Sequence, residues 1–260
     1  HLGEMRSPTQ YPLAKDVVRW QGEPVAVVVA NKRAVAEDAL ELVEIDYEDL
    51  DAQLDMETAM DKSTKVIHDD LGNNLFWTRT VNQGDVIEAF KQSHIVEEVT
   101  LDFARHTGVT LETRAIVADW DSSEERMTIY HNGQAPHMMQ SIIAKHLNIS
   151  EGLVRIISCD VGGSFGIKVH VYPDEMVTVA VSKLLKRPVK FVADRLESYS
   201  TDIHSRCHKI SGKIGVDDKG KILAFEIDDL SGIGPFSVYP RTSAIETNQV
   251  LNLSAASYVV

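Results

Sequence analysis

The chain has 260 residues, a formal net charge of −13 and two cysteines. That length suits one or two domains with a substantial core, and the acidic balance without a basic run argues against nucleic acid or an anionic membrane surface as partner. Two cysteines make no disulfide framework, no secretory h-region is visible, and the longest apolar run, Pro24–Ala30, is far too short to span a bilayer; the expected location is a reducing compartment, the cytoplasm.

In chain order, Pro24–Ala30 reads as a strand buried on both faces. Asn31 is the expected N-cap of a helix striped by Val35, Ala39, Leu40 and Val43, and Glu44-Ile45-Asp46-Tyr47 alternates as a second strand. This βαβ-like unit reads as scaffold. The polar, glycine-punctuated stretch 61–74 reads as part of a linker. A short helix with Val86, Ile87 and Phe90 leads into a long alternating strand over 94–105. Strands near 114–120 and 126–131 join through Asp121-Ser122-Ser123-Glu124-Glu125, a turn by composition. Strands 209–216 and 222–230 join through Asp217-Asp218-Lys219-Gly220.

Two loops between these elements carry chemistry. Asn132-Gly133-Gln134-Ala135-Pro136-His137 opens a helix whose Ala135, Met138, Met139, Ile142, Ile143 and Leu147 recur at helical spacing. Pro136 belongs in a first turn, which places Gln134 at the helix mouth. Further on, a strand over 153–159 enters Asp160-Val161-Gly162-Gly163-Ser164-Phe165-Gly166-Ile167-Lys168. A helix over 173–186 follows, with Pro173 at an N1-like position and Asp174 and Glu175 in its first turn; a strand over 189–193 comes next. Glycines admit positive φ and close backbone approach, so consecutive N–H groups can converge on an oxygen. Neither GxGxxG nor the P-loop fits, because Val161 and Ile167 stand where those motifs need glycine and lysine.

Together these segments resemble the large molybdenum-binding subunit of the molybdenum hydroxylases (xanthine dehydrogenase, aldehyde oxidase, aerobic carbon monoxide dehydrogenase). Residues 161–168 resemble the GGxFGxK cofactor loop, Gln134-Ala135-Pro136-His137 the glutamine motif, and Leu111-Glu112-Thr113-Arg114-Ala115 the Met-Glu-Pro-Arg-x segment, with Thr113 for proline. Residues 18–30 and 36–39 resemble the α/β hammerhead domain, and 232–242 the carbon monoxide dehydrogenase-like branch. The resemblance implies an α+β fold: a hammerhead-type domain over 1–60, a linker over 61–83 and the first part of a molybdopterin-binding domain, with mixed sheets and amphipathic helices, over 84–260. With no initiator methionine, a start at His1-Leu2-Gly3 and a strand-like end over 255–260, it also implies a partial subunit, inactive alone.

The implied activity is hydroxylation of an electrophilic carbon with water as oxygen source, at molybdenum held by a molybdopterin of the cytosine dinucleotide form. Electrons would pass to [2Fe-2S] clusters and FAD on partner subunits of a hetero-oligomer. By the resemblance Gln134 hydrogen-bonds the apical oxo, Gly162, Gly163, Ser164, Phe165 and Gly166 pack against the cofactor, and Phe165 walls the substrate pocket. No side chain need ligate the metal. Ser164 replaces the usual third glycine. Val169 replaces the glutamate of purine-oxidising members, which argues against xanthine and leaves aldehydes, carbon monoxide or an N-heteroaromatic. The competing class is a non-catalytic scaffold of the same fold.

The remaining residues read blandly. Cys159 is expected to be a small buried residue and Cys207 the more exposed thiol. Arg114 contacts cofactor, partner or a structural ion partner. His137 is expected buried and satisfied. Lys168 meets a phosphate or is solvated. His68, His106, His204 and His208 lack zinc-ligand spacing.

Overall fold

The computed structural model describes residues 5–254 and 258. The chain start at His1-Leu2-Gly3 and, apart from Tyr258, the expected terminal strand lie outside these residues.

The elements run α1 (Arg33–Leu40), α2 (Val86–Gln92), β1 (Ile95–Phe103), β2 (Ala115–Asp121), β3 (Arg126–His131), α3 (Pro136–Leu147), β4 (Val154–Ile157), α4 (Pro173–Leu185), β5 (Val189–Val192), α5 (Arg195–Thr201), β6 (His208–Val216), β7 (Ile222–Ser231) and α6 (Ala244–Leu253). Two sheets result. One has the order β1-β6-β7 and is antiparallel throughout; the other has the order β4-β3-β2-β5. In the second, β3 pairs antiparallel with β2 and parallel with β4, so β3–α3–β4 is a crossover unit.

The core lies between this four-stranded sheet and helices α3 and α4. Ile116, Ala118 and Trp120 alternate inward from β2, and Met127 and Ile129 from β3. Met139 and Ile143 come from α3, one helical turn apart, and Val179 from α4. Each of the larger aliphatic side chains among them contributes about 2 kcal/mol when fully buried. Both helices begin with proline at the first helical position and end on a left-handed residue, Asn148 (φ 54°) and Lys186 (φ 55°). A buried serine ties helix to sheet. Ser182 accepts from the Trp120 N–H (3.1 Å) and donates to the Ala118 carbonyl (3.0 Å), where the β2–β5 ladder ends.

The hairpin turns follow from their aspartates. Asp121 accepts from Ser123 and Glu124 N–H groups, and Asp217 from those of Lys219 and Lys221.

The N-terminal reading needs correction. Residues 24–30 and 44–47 run without a ladder, and Val27 and Val29 are 44% and 42% exposed, not buried. A strand needs a ladder of hydrogen bonds, and the single bond from the Ala14 N–H to the Pro24 carbonyl (2.7 Å) does not make one. Helix α1 forms, but its N-cap is Lys32 instead of Asn31, and it buries no residue. The stretch expected to be a linker is tied down: Asn74 donates to Ala59 and Lys65 carbonyls, and His68 Nε2 lies 2.6 Å from the Pro235 carbonyl oxygen.

Candidate cofactor-facing site

Because β3 and β4 are parallel neighbours, their carboxyl ends open on the same edge of the sheet, the usual ligand side of such a pair. The Gln134 loop leaves β3 there and the glycine loop leaves β4. They are joined directly. Ser158 Oγ donates to the Gly133 carbonyl (2.9 Å), the Gln134 N–H donates to the Lys168 carbonyl (3.1 Å), and the Ser164 hydroxyl bonds Gln134 Oε1. All six candidate residues thus lie in two touching loops.

The glycine loop turns through left-handed φ at Gly163 (97°), Phe165 (50°) and Gly166 (88°). Phe165 tolerates this less readily than glycine, and its ring is 78% exposed. It lines a cleft of about 620 Å³ together with Gly108, His170 and residues 231–239. A Cβ on Gly162 would sit 2.5 Å from Glu112 Cβ, so that glycine is a packing requirement.

The donors suit an oxygen-rich ligand. Among the described residues, the N–H groups of Gly163, Ser164, Phe165 and Gly166 have no protein acceptor, and the Gln134 Nε2 has none either. Gln134 is exposed. With its Oε1 engaged by Ser164, the free end of the carboxamide is the NH2 donor. Space around Gly166 is open, with no atom within 4 Å of where its Cβ would be. This set is neutral and donor-rich, the chemistry that suits a ligand presenting oxygen acceptors.

Beneath the loops lies a charged layer. Glu112 Oε2 accepts from the Gly162 N–H (2.8 Å) and from Lys168 Nζ (2.9 Å). Burial pulls the Glu112 carboxyl upward, but these donors outweigh it and hold it below the usual carboxylate range. Arg114, 1% exposed, grips Asp174 with both Nη atoms and Asp202 with Nε, and stacks 3.8 Å over the Tyr172 ring. His131 Nε2 lies 2.9 Å from Glu175 Oε1. Burial raises the Glu175 carboxyl, yet His131, Arg114 and the Tyr172 N–H keep it below its ordinary value. Tyr172 OH donates to the Ile167 carbonyl (2.9 Å), connecting this layer to the loop.

Several expectations change here. Lys168 is 3% exposed and paired with Glu112, so it does not face solvent. Of the roles open to Arg114, the structure shows the ion partner. His137 is exposed, because the helix turns it away from the sheet. Cys159 is exposed and Cys207 half-buried, the reverse of the expected order: β4 ends at Ile157, two residues short of Cys159. Glu112, His131, Asp174 and Glu175 had no assigned site role. A signal existed for Glu112, which stands next but one to Arg114 in a segment already singled out.

The class defined by this fold is an α+β domain in which two loops meet at the carboxyl ends of a parallel strand pair. Residues 67–260 match the molybdopterin cofactor-binding domain family, and residues 1–51 the α/β hammerhead domain of aldehyde oxidase and xanthine dehydrogenase. The chain is similar to the nicotine 6-hydroxylase large subunit of Paenarthrobacter nicotinovorans, 34% identical over 95% of this chain and 31% of that one. It is also similar to the carbon monoxide dehydrogenase large chain of Hydrogenophaga pseudoflava, 30% identical over 86% and 30%. Quinoline 2-oxidoreductase from Pseudomonas putida 86 superposes with a TM-score of 0.91 at 28% identity, over 96% of this chain and 32% of that one. This chain belongs to the molybdenum hydroxylase family and corresponds to part of its molybdenum-binding large subunit. It spans about a third of the length of the curated relatives it matches.

Proposed function

We propose that this chain forms one wall of the molybdenum–pterin site of an oxidoreductase that hydroxylates an electrophilic carbon, drawing the oxygen from water. The observation that carries the reading is the joining of the Gln134 loop to a glycine loop with four unpaired N–H groups, at the carboxyl ends of β3 and β4. The names of the relatives support it: they include hydroxylases and dehydrogenases of small molecules.

When bound, the molybdenum–pterin group supplies the two-electron oxidation. The chain's own residues do the rest on this side of the site. The Gln134 carboxamide and the N–H groups of Gly163 to Gly166 would hold the group by donating to its oxygens. Neither titrates near neutral pH, so the donors keep their sense throughout the reaction. A fixed donor aimed at developing negative charge typically lowers a barrier by about 3 kcal/mol. Phe165 presents an apolar face to the cleft. Val169 and the absence of a carboxylate there favour an aldehyde, carbon monoxide or an N-heteroaromatic over a purine.

Several finer assignments belong to the same reading and rest on the sequence resemblance. They are the cytosine dinucleotide form of the pterin, [2Fe-2S] clusters and FAD on partner subunits, a hetero-oligomeric complex in the cytoplasm, and domain boundaries near 60 and 84. The test is metal and pterin analysis of the complex purified from its native host. Near-stoichiometric molybdenum with a fluorescent oxidised pterin is expected. An intact complex without molybdenum would leave a scaffold.

A further inference from the structure

We propose that Glu112 is the positioning residue of the glycine loop, and that Lys168 serves this clamp as a tether instead of contacting the cofactor. The inference rests on the cofactor reading above. Glu112 and Gly162 are paired both ways, once through backbone and once through side chain: the Glu112 N–H donates to the Gly162 carbonyl (3.2 Å), and the Gly162 N–H donates to the Glu112 carboxylate (2.8 Å). The same carboxylate oxygen takes Lys168 Nζ at 2.9 Å. One oxygen therefore grips the loop at its start and at its end, with Gly163 to Gly166 spanned between.

The strap carrying Glu112 is itself held. Thr110 Oγ1 donates to the Glu112 carbonyl (2.6 Å), and Asn132 Nδ2 to the Thr113 carbonyl (2.8 Å). Asn132 begins the Gln134 loop, and the Gln134 N–H donates to the Lys168 carbonyl. The strap is thus the common support of both loops. A buried lysine without a partner is costly, so Lys168 can lie inside only because Glu112 neutralises it. Glu112 stands in a segment 56 residues before Lys168, and it acts through the loop, not on a reacting atom.

The test compares Glu112→Ala, Glu112→Gln, Lys168→Met and the Ala/Met double variant in the full complex. Amide hydrogen exchange is read over 158–169, with melting temperature as the fold control. Glu112→Ala is expected to speed exchange of the Gly162 and Ile167 amides, the loop amides bonded within the protein, roughly tenfold to a hundredfold, the loss of a hydrogen bond to a charged group, while α3 and α4 amides keep their rates. Glu112→Gln restores part of the protection, because the amide oxygen still accepts from Gly162. The double variant matches Glu112→Ala within about twofold, since both changes break one unit. The paramagnetic molybdenum signal of the reduced complex changes shape in Glu112→Gln without loss of molybdenum.

Loop exchange in Glu112→Ala within about twofold of the parent, or additive effects in the double variant, would overturn the clamp. Where Glu112→Ala does not fold, Glu112→Gln and Lys168→Met decide alone: faster loop exchange in both supports the clamp, and unchanged exchange in either sinks it. A parent complex without molybdenum would refute the cofactor reading, while the exchange rates would still decide the clamp.

Discussion

Arg114 and Asp174 form a two-pronged ion pair, Nη1 to Oδ1 at 2.6 Å and Nη2 to Oδ2 at 2.8 Å, inside the joint between β2 and the first turn of α4. Arg114 precedes β2 directly, and its Nε reaches Asp202 just after α5. Three elements are thereby fixed around one guanidinium.

Removing one partner leaves the others charged and desolvated. Arg114→Met is expected to lower stability by about 3–5 kcal/mol, and Arg114→Lys by a large share of that, because a point charge cannot hold two carboxylates in a fork. Denaturant unfolding checks this; a loss under about 1 kcal/mol for Arg114→Met would mean the network is not structural.

Ser182 stands in for a ladder strand. Ser182→Ala strands the Trp120 N–H and the Ala118 carbonyl in the core and is expected to cost about 1–3 kcal/mol. Chemical denaturation with unchanged midpoint would contradict the role given to this hydroxyl.

Gly133 and Gly152 make a matched pair. A Cβ at Gly133 would lie well inside van der Waals contact of the His131 ring, which Glu175 holds in place. Gly133→Ala is expected to cost about 1–3 kcal/mol. Gly152 offers room, its nearest neighbour being Ser150 Oγ at 3.8 Å, so Gly152→Ala is expected within about 0.5 kcal/mol of the parent. Equal melting temperatures for the two variants would refute the contrast.

His208 links the three-stranded sheet to α6. Its Nδ1 lies 2.8 Å from Asp229 Oδ1 and its Nε2 3.6 Å from Glu246 Oε2, a carboxylate that Arg206 also approaches. The Asp229 hydrogen bond raises the imidazole above 6.5, burial opposes it, and Glu246 adds to the rise. A raised folded value means the stabilisation is complete below the unfolded pKa and is lost as pH rises through the folded one. The stability gap between the parent and His208→Gln should therefore shrink with rising pH above 6.5 in melts at several pH values. A gap that widens instead would contradict the protonated pair.

What could be read from the sequence was local. Pro136 and Pro173 mark helix starts, the aspartate turns mark hairpins, and Gln134 with the glycines marks the loops, because each signal lies within a few residues of its effect. The supporting layer was not legible for the opposite reason: Arg114 meets Asp202 across 88 residues and Lys168 meets Glu112 across 56. Asp174 and Glu175 read as helix-dipole acids, since nothing local shows that they point inward. The β-branched run over 24–30 has strand chemistry, but a strand is completed only by a neighbour.

The most direct test of the account is amide exchange on the native complex prepared with molybdate and from molybdate-starved cells. If these two loops hold the cofactor, amides at 163–166 gain protection only in the molybdenum-loaded complex, while the Gln134 N–H, already bonded to the Lys168 carbonyl, and the Glu112 strap are alike in both. Protection elsewhere in the complex, with these loops unchanged, would contradict the account.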